Sequence, residues 1–336
     1  MSDKKKTRSY PEPFVVDSLA DHKHSFILLH GRGSNGEHFG TELLNSRMTL
    51  DSESIIEDGQ AANTLRQYFP NAKFIFPTAK KRRAKWYNRA TINQWFDSVP
   101  IDEQDHLIAG MTKEQEEWQL EGLRESRAFI KNILDAEIEL VGTSNVVIGG
   151  LSQGCAMSLH VLLSLDSDDI DTSSQLAGFV GMSGWLPYAD TIADVLNRGQ
   201  TSVDESAADL DEDGDDDPFA TSDDDAGSED DIWGREHERK EPQTSVVKVC
   251  GLIRDNMDLP QPAQGSKLPW TRTPIFLGHG KSDEKVKMAK GAKAAECLQS
   301  LGLQVTWREY DEGHWYKVPD EIDDIARFLR ACLATR

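Results

Sequence analysis

Short apolar runs alternate with stretches of helical periodicity before residue 190 and after about residue 270. Six apolar runs are rich in β-branched or aromatic residues and are bounded by turn-forming residues. They predict strands at 25–30, 73–77, 145–150, 176–183, 274–279 and 304–310. Apolar residues at three- and four-residue steps predict helices at about 113–135, 153–165, 283–301 and 319–334. This alternation is typical of an α/β protein with a mostly parallel central sheet and helices on both faces.

Residues 191–264 interrupt this alternation. They are rich in Asp, Glu, Ser and Gly, and they contain few large apolar residues. Because burial of so few apolar groups does not offset the entropy lost on ordering the chain, most of this stretch is predicted to be disordered. The sequence therefore predicts one discontinuous domain, formed by residues 1–190 and 265–336, with an acidic, low-complexity surface insert at 191–264.

Most of the negative charge belongs to this insert. The formal net charge is −21, but residues 204–231 contain 15 acidic residues and no Lys or Arg. Taking that segment's −15 from −21 leaves about −6 on the rest of the chain, which is an ordinary surface charge. The one basic run, 80–89, has no recognisable nucleic-acid-binding module around it, so nucleic-acid binding is not expected.

The sequence carries no signal for membrane insertion or for a metal. The N-terminus is polar and basic, Ser2 in place of a glycine does not suggest N-myristoylation, and no run of eighteen apolar residues occurs. We expect a cytoplasmic protein without a stable membrane anchor, with a nuclear-import signal at 80–89 as an alternative interpretation. The four cysteines are widely scattered and lack metal-ligand spacing, so we expect reduced thiols and no metal site.

The strongest chemical motif is GLSQG at residues 150–154. It directly follows a predicted strand and directly precedes a predicted helix. A serine between small residues in this context is typical of a nucleophile elbow, where strand and helix approach closely around a strained turn. The motif predicts Ser152 as a nucleophile, and an incidental glycine-rich turn is the alternative.

A serine hydroxyl requires a histidine base and a carboxylate that orients it. In this kind of fold their chain order is Ser, acid, His. Asp283 follows the predicted strand 274–279, although an N-cap of the next helix is another use for it. Of the nine histidines only His314 lies beyond Asp283, and an ordinary surface histidine is the alternative there. The order predicts a catalytic triad of Ser152, Asp283 and His314.

Backbone N–H groups are the usual donors to the negative charge that develops on an attacked carbonyl oxygen. One predicted donor is Gln153, the residue after the serine. The other is Arg32, in the HG-type turn that follows the strand 25–30. His30 precedes the nucleophile in the chain, so we expect a structural hydrogen-bonding role for it.

Several stretches together resemble the acyl-protein thioesterase branch of the phospholipase/carboxylesterase family of α/β-hydrolases. They are LLHGRGSNGEHF, IFPTA, NQWFD, GGLSQGCAMSLH, GMSGWLP, GHGKSDEKV and YDEGHW, and they span most of 25–190 and 270–336. The resemblance implies an α/β-hydrolase fold. It also implies hydrolysis of acyl thioesters or esters, S-acylated proteins included, through an acyl-serine intermediate, with no metal and no organic cofactor.

The substrate is less sharply indicated than the reaction. The predicted acyl-facing wall consists of Trp95, Phe96 and Trp185, and plain packing is the alternative for each. The basic run 80–89 lies in a loop that in the family helps to shape the acyl channel, so it indicates an anionic substrate or partner, or a solvated loop. Lysophospholipases and small-ester carboxylesterases share the same triad. An inactive hydrolase fold used for binding is the alternative from a different class, and the presence of all three triad residues argues against it.

Overall fold

The computed structural model describes residues 9–50, 62–85, 90–97, 113–167, 169, 174–207, 245–263 and 266–334. The strands in these ranges are β1 (Phe14–Val16), β2 (His24–Leu29), β3 (Ala72–Phe76), β4 (Lys81–Arg83), β5 (Thr91–Asn93), β6 (Val146–Leu151), β7 (Gly178–Met182), β8 (Ile275–Gly280) and β9 (Val305–Tyr310). Seven of them form one sheet in the order β1-β3-β2-β6-β7-β8-β9, and β4 pairs with β5 as a separate hairpin. The six predicted strands are confirmed.

The register of the sheet brings its functional ends together. Only β1 runs antiparallel to its neighbour, and the other neighbouring strands of the sheet are parallel. Gly150 is paired with both Leu29 and Gly181, and Met182 is paired with Gly278. The loops that follow β2, β6, β7 and β8 therefore leave the sheet at one edge, where α/β folds place their ligand sites.

Helices cover both faces of the sheet. They are α1 (Gly36–Asn45), α2 (Leu65–Tyr68), α3 (Lys113–Val141), α4 (Gln153–Leu163), α5 (Ala189–Ala207), α6 (Ser245–Asn256), α7 (Met288–Ser300) and α8 (Asp320–Ala334). Alternate residues of the strands enter two separate apolar clusters. Ile27 and Ile148 join the cluster shared with α3 to α7, while Phe26 and Val147 join the one shared with α1 and α8. Among these helices, none combines the length and the apolarity that a membrane span requires.

Two of these helices lie at the ends of the predicted insert 191–264, most of which was predicted to be disordered. Ile192 and Leu196 of α5, and Val249 and Ile253 of α6, are buried in the larger apolar cluster. The apolar run at 246–253 is hidden when composition is averaged over the whole acidic stretch. Residues 208–244 lie outside the described residues, so the disorder predicted for them stays a prediction.

Part of the basic run 80–89 is paired within the fold. Lys80 Nζ and Arg82 Nη2 each lie 2.5 Å from Glu125 Oε2 on α3, and both cationic side chains are largely buried. Lys85 Nζ lies 4.8 Å from the centre of the Trp118 ring. Lys80 and Arg82 are therefore paired within the fold, whereas Lys81, Arg83 and Lys85 are exposed, as the interpretation of a solvated loop requires. Residues 86–89 lie outside the described part of the chain.

Candidate active site

Ser152 occupies the sharp turn between β6 and α4. Its backbone has φ 55° and ψ −119°, which is a strained region for a residue with a side chain, and its N–H donates to Met182 O at 2.8 Å. The turn needs a small residue on each side of the serine. A Cβ on Gly150 would lie 2.4 Å from Leu29 O, and one on Gly154 would lie 2.1 Å from the same atom. This is the geometry predicted for the nucleophile elbow.

Gly154→Ala is expected to destabilise the fold. The added Cβ meets backbone atoms of Leu29 and His30, which cannot rotate away, so strand and helix must separate. We expect the free energy of unfolding to fall by about 3 kcal/mol or more, measured by chemical denaturation.

Gly313→Ala is the matched control for this prediction. A Cβ at Gly313 would have no neighbour within 4 Å, and its φ is not in the left-handed region. The two alanine variants should therefore differ clearly in denaturation midpoint, and equal midpoints would contradict the close packing of the elbow.

The three predicted triad residues form a chain of two hydrogen-bonding contacts through His314. Ser152 Oγ lies 2.9 Å from His314 Nε2, and His314 Nδ1 lies 2.8 Å from Asp283 Oδ2. Asp283 comes from the loop after β8, and His314 comes from the loop between β9 and α8. Ser152 retains 8% exposure while Asp283 is buried. The chain order used in the sequence prediction thus corresponds to a close contact in space.

Asp283 is held as an ionised carboxylate. Burial by itself would raise its pKa, but hydrogen bonds from His279, from His314 and from the Val286 N–H outweigh burial and hold the pKa well below its ordinary value. The ionised oxygen accepts from His314 Nδ1, which leaves the lone pair of Nε2 directed at the Ser152 hydroxyl. His314 is therefore arranged to accept the serine proton.

The other carboxylate oxygen of Asp283 makes contacts that resemble those of a helix N-cap, which was the alternative interpretation of this residue. Oδ1 accepts the N–H groups of Lys285 and Val286 at 2.8 and 2.9 Å. However, α7 begins only at Met288, and its N-cap residue Lys287 makes no side-chain capping bond. The predicted helix at 283–301 thus starts five residues late, because Asp283 first organises a separate turn.

The predicted oxyanion loop borders Ser152. A Cβ on Gly31 would lie 3.4 Å from the Ser152 Cβ, so the loop passes directly beside the nucleophile. Gly33 has φ 86°, its N–H donates to Asn93 O, and Asn93 Nδ2 donates to Ser34 O, each at 2.8 Å. Strand β5 thus fixes the loop that carries Arg32.

The second predicted donor, Gln153, is the first residue of α4. Its N–H points out of the N-terminal end of that helix, where the helix dipole favours negative charge. Both predicted oxyanion donors therefore lie on segments that border the nucleophile.

His30 is buried in a structural position. Its Nδ1 donates to Gly31 O at 2.7 Å, and its Nε2 accepts the Ala79 N–H at 3.0 Å. Burial lowers its pKa to about 4, so the ring is neutral near pH 7. This is the structural hydrogen-bonding role expected for it.

Two members of the predicted acyl-facing wall lie in the core instead. Trp95 and Phe96 are 0% and 1% exposed, so neither offers a surface to a substrate in this structure, and packing describes both. Their backbone is clamped by the side chain of Gln153, which accepts the Trp95 N–H at 3.0 Å and donates to Phe96 O at 2.8 Å. Trp185 is partly buried, with its ring edge-on to Phe96, and stays a candidate. The sequence motif predicts a role only for the backbone N–H of Gln153, so the contacts of its side chain were missed.

Glu321 is a buried carboxyl behind the loop that carries His314. It accepts the Lys317 N–H at 2.9 Å, and its other oxygen packs against Gly278. Burial raises its pKa to about 8, from an ordinary value near 4.5, so folding favours the protonated form. Stability should therefore fall as the pH rises from 4.5 to 8, because the unfolded chain releases the proton first.

Glu321→Gln is expected to stabilise the protein at pH 9 and to have little effect at pH 4. The neutral amide removes the cost of a buried charge, which corresponds to at most roughly 5 kcal/mol for a shift of this size. Denaturation curves at the two pH values measure it. Glu296 is exposed, so Glu296→Gln should change stability by the same small amount at both pH values. An equally small, pH-independent effect of Glu321→Gln would contradict the raised pKa of Glu321.

A mostly parallel sheet with a serine elbow, an aspartate and a histidine meeting at one edge defines a serine hydrolase of the α/β-hydrolase class. The family model for Phospholipase/Carboxylesterase matches residues 11–212 and 237–333. The chain belongs to this family, as its sequence motifs predicted, and it is a serine hydrolase of carboxylic esters.

Individual relatives agree with this assignment. The chain is 23% identical to acyl-protein thioesterase 1 of Gibberella zeae over 320 residues, which covers 95% of this chain and 94% of the relative. It is 22% identical to acyl-protein thioesterase 1 of Emericella nidulans, with 94% and 93% covered. The crystal structure of Zea mays acyl-protein thioesterase 2 superposes with a TM-score of 0.53 at 21% identity, covering 96% of this chain and all of that one. That structural likeness shows the shared fold.

Proposed function

We propose that the chain hydrolyses the thioester bonds of S-acylated proteins, and carboxylic esters of similar acyl groups, with Ser152 as nucleophile. The observation that carries the proposal is the pair of contacts made by His314, at 2.9 Å to Ser152 Oγ and at 2.8 Å to Asp283 Oδ2. The names of the fungal relatives support protein S-acyl groups as the substrate.

The first half of the proposed reaction forms an acyl-serine. Ser152 Oγ attacks the acyl carbonyl carbon while His314 Nε2 accepts the hydroxyl proton. The N–H groups of Arg32 and Gln153 receive the negative charge on the carbonyl oxygen. Collapse of this intermediate expels the cysteine sulfur or the alcohol oxygen, which takes the proton from His314.

The second half releases the acid. Water enters as the leaving group departs, His314 removes a proton from it, and the resulting hydroxide attacks the acyl-serine carbonyl. Collapse of this second tetrahedral intermediate breaks the bond between the acyl carbon and Ser152 Oγ, so the carboxylic acid is released and Oγ takes the proton back from His314. Asp283 keeps the imidazole in one tautomer throughout, and it stabilises the imidazolium that forms twice per cycle. No step requires a cofactor.

The substrate class is tested by comparing three substrates under one set of conditions. We expect an S-palmitoylated peptide to have a higher kcat/KM than a lysophospholipid or a short-chain p-nitrophenyl ester, with Ser152→Ala as the blank. A lysophospholipid turned over faster than the thioester would favour a lysophospholipase instead. Turnover of the short-chain ester alone, without appreciable turnover of the thioester or the lysophospholipid, would favour a small-ester carboxylesterase.

We also propose a cytoplasmic location for this activity. The four cysteines, Cys155, Cys250, Cys297 and Cys332, are buried free thiols, which suits a reducing compartment. Fractionation of cells expressing the tagged chain should recover it with cytosolic markers, and recovery in a secreted fraction would contradict the proposal.

A further inference from the structure

His279, near the end of β8, contacts the same carboxylate oxygen of the triad aspartate as His314 does. It is fully buried, and its Nε2 lies 2.8 Å from Val286 O and 3.3 Å from Asp283 Oδ2. Because a carbonyl oxygen only accepts, Nε2 carries a hydrogen, which it shares between these two oxygens. Asp283 Oδ2 therefore faces two histidines, His279 and His314.

Val286 connects Asp283 to His279 through its backbone. Its N–H donates to Asp283 Oδ1 at 2.9 Å, while its carbonyl oxygen accepts from His279 at 2.8 Å. The carboxylate, the Val286 peptide groups and the His279 ring thus form one hydrogen-bonded unit. A change at His279 is transmitted to the orientation of Asp283.

Packing leaves the His279 ring little freedom to turn. A Cβ on Gly291 would lie 2.3 Å from His279 Nδ1, and the Trp307 ring centre lies 6.0 Å from the imidazole centre. Within the described part of the chain Nδ1 has no hydrogen-bond partner. It borders a cavity of about 10 Å³, room for about one water molecule, whose mostly apolar walls include Cys155, Leu159, Trp185, Leu277, Ala294 and Trp307.

We propose that His279 is a positioning residue for the reaction, acting through Asp283. It fixes Oδ2 toward His314, and it withdraws part of the carboxylate's negative charge. Since the charge that remains holds the His314 imidazolium less tightly, the imidazolium returns its proton more readily to the leaving group. The inference rests on the proposed function of Ser152, Asp283 and His314.

Two titratable side chains on other elements adjoin this unit. Glu321 of α8 packs against Gly278, and Cys155 of α4 lines the cavity beside His279. Burial raises the pKa of Glu321 to about 8 and that of Cys155 to about 12. Neither group therefore changes its protonation as the pH falls below neutrality, so neither contributes to an acid limb in the pH dependence of kcat/KM.

The test compares His279→Leu with His279→Gln in the full chain. Leu removes the donor, whereas the Gln amide can place an N–H near the position of Nε2. With a short-chain p-nitrophenyl ester, we expect Leu to lower kcat by about 10-fold with KM nearly unchanged, and to move the acid limb up by roughly 0.5 pH unit. Gln should restore most of both.

A purely structural role predicts a different outcome. Activity of His279→Leu would then fall only in proportion to its folded fraction, measured by circular dichroism, and the acid limb would stay in place, which would overturn the inference. Should His279→Leu fail to fold, His279→Asn, whose donor is too short to serve both oxygens, is compared with Gln in the same way. A wild-type chain without Ser152-dependent hydrolysis would overturn the proposed function itself, so the two failures are distinguishable.

Discussion

Ser152→Ala is expected to lower kcat on an ester or thioester substrate by about 10⁴-fold or more while leaving the fold intact. The substitution removes the attacking oxygen, and His314 then has no hydroxyl to deprotonate. The backbone of residue 152 stays in its turn because Gly150 and Gly154 still allow the close approach of β2. Steady-state rates and a far-ultraviolet circular dichroism spectrum measure the two parts of the prediction.

Ser300→Ala is the control for this variant, since Ser300 is exposed at the end of α7. It should retain full activity. A Ser152→Ala enzyme that kept more than a few per cent of wild-type kcat would show that another group carries the nucleophilic step.

Asp283→Asn is expected to lower kcat by roughly 10³- to 10⁴-fold with a small change in KM. The amide can keep an oxygen toward the Lys285 and Val286 N–H groups, so the turn is retained. Its NH₂ group then faces His314 Nδ1, which favours the wrong imidazole tautomer and turns the Nε2 hydrogen toward Ser152. Loss in kcat rather than in KM is the signature of a defect in chemistry.

Asp311→Asn provides the matched control. Asp311 is exposed, and its ion pair with Lys281, at 3.0 Å, lies at the surface. Its substitution should leave kcat within about twofold, because exposed ion pairs contribute little. If both aspartate variants retained near-wild-type turnover, Asp283 would not be the orienting carboxylate.

The parts of the fold that sequence predicted are those with local signals. Buried parallel strands appear as short β-branched runs, and GLSQG at 150–154 carries its turn in its glycines. The order of Asp283 and His314 after Ser152 narrowed the base to one histidine. Because these signals depend only on neighbours in the chain, they can be recognised without knowledge of the tertiary structure.

The features that were missed depend on contacts across the fold. Helix α1 contains Gly36 and Gly40, which lower its helical propensity, yet a Cβ at Gly36 would lie 2.0 Å from Phe76 O. Helix α6 is stabilised by buried apolar residues and by the ion pair of Arg254 with Asp166, at 3.0 Å. These contacts join residues that are far apart in the chain, so local composition does not reveal them.

The same reason explains the errors around the site. Trp95 and Phe96 were predicted to face the acyl group, but the Gln153 side chain and the core hold them inside. His279 was overlooked because its contact with Asp283 exists only once β8 and its loop have folded together. Residue types near a motif indicate which side chains are close to it, whereas packing decides which of them stay accessible.

Labelling with a fluorophosphonate probe tests directly whether Ser152 is an activated nucleophile. The probe reacts with a serine whose hydroxyl is activated by a neighbouring base, and mass spectrometry of the digested protein identifies the modified residue. We expect a single adduct on Ser152 in the wild-type chain, much slower labelling of His314→Ala, and none of Ser152→Ala. A folded wild-type chain that takes up no label at Ser152, or that is labelled at another serine, would contradict this expectation.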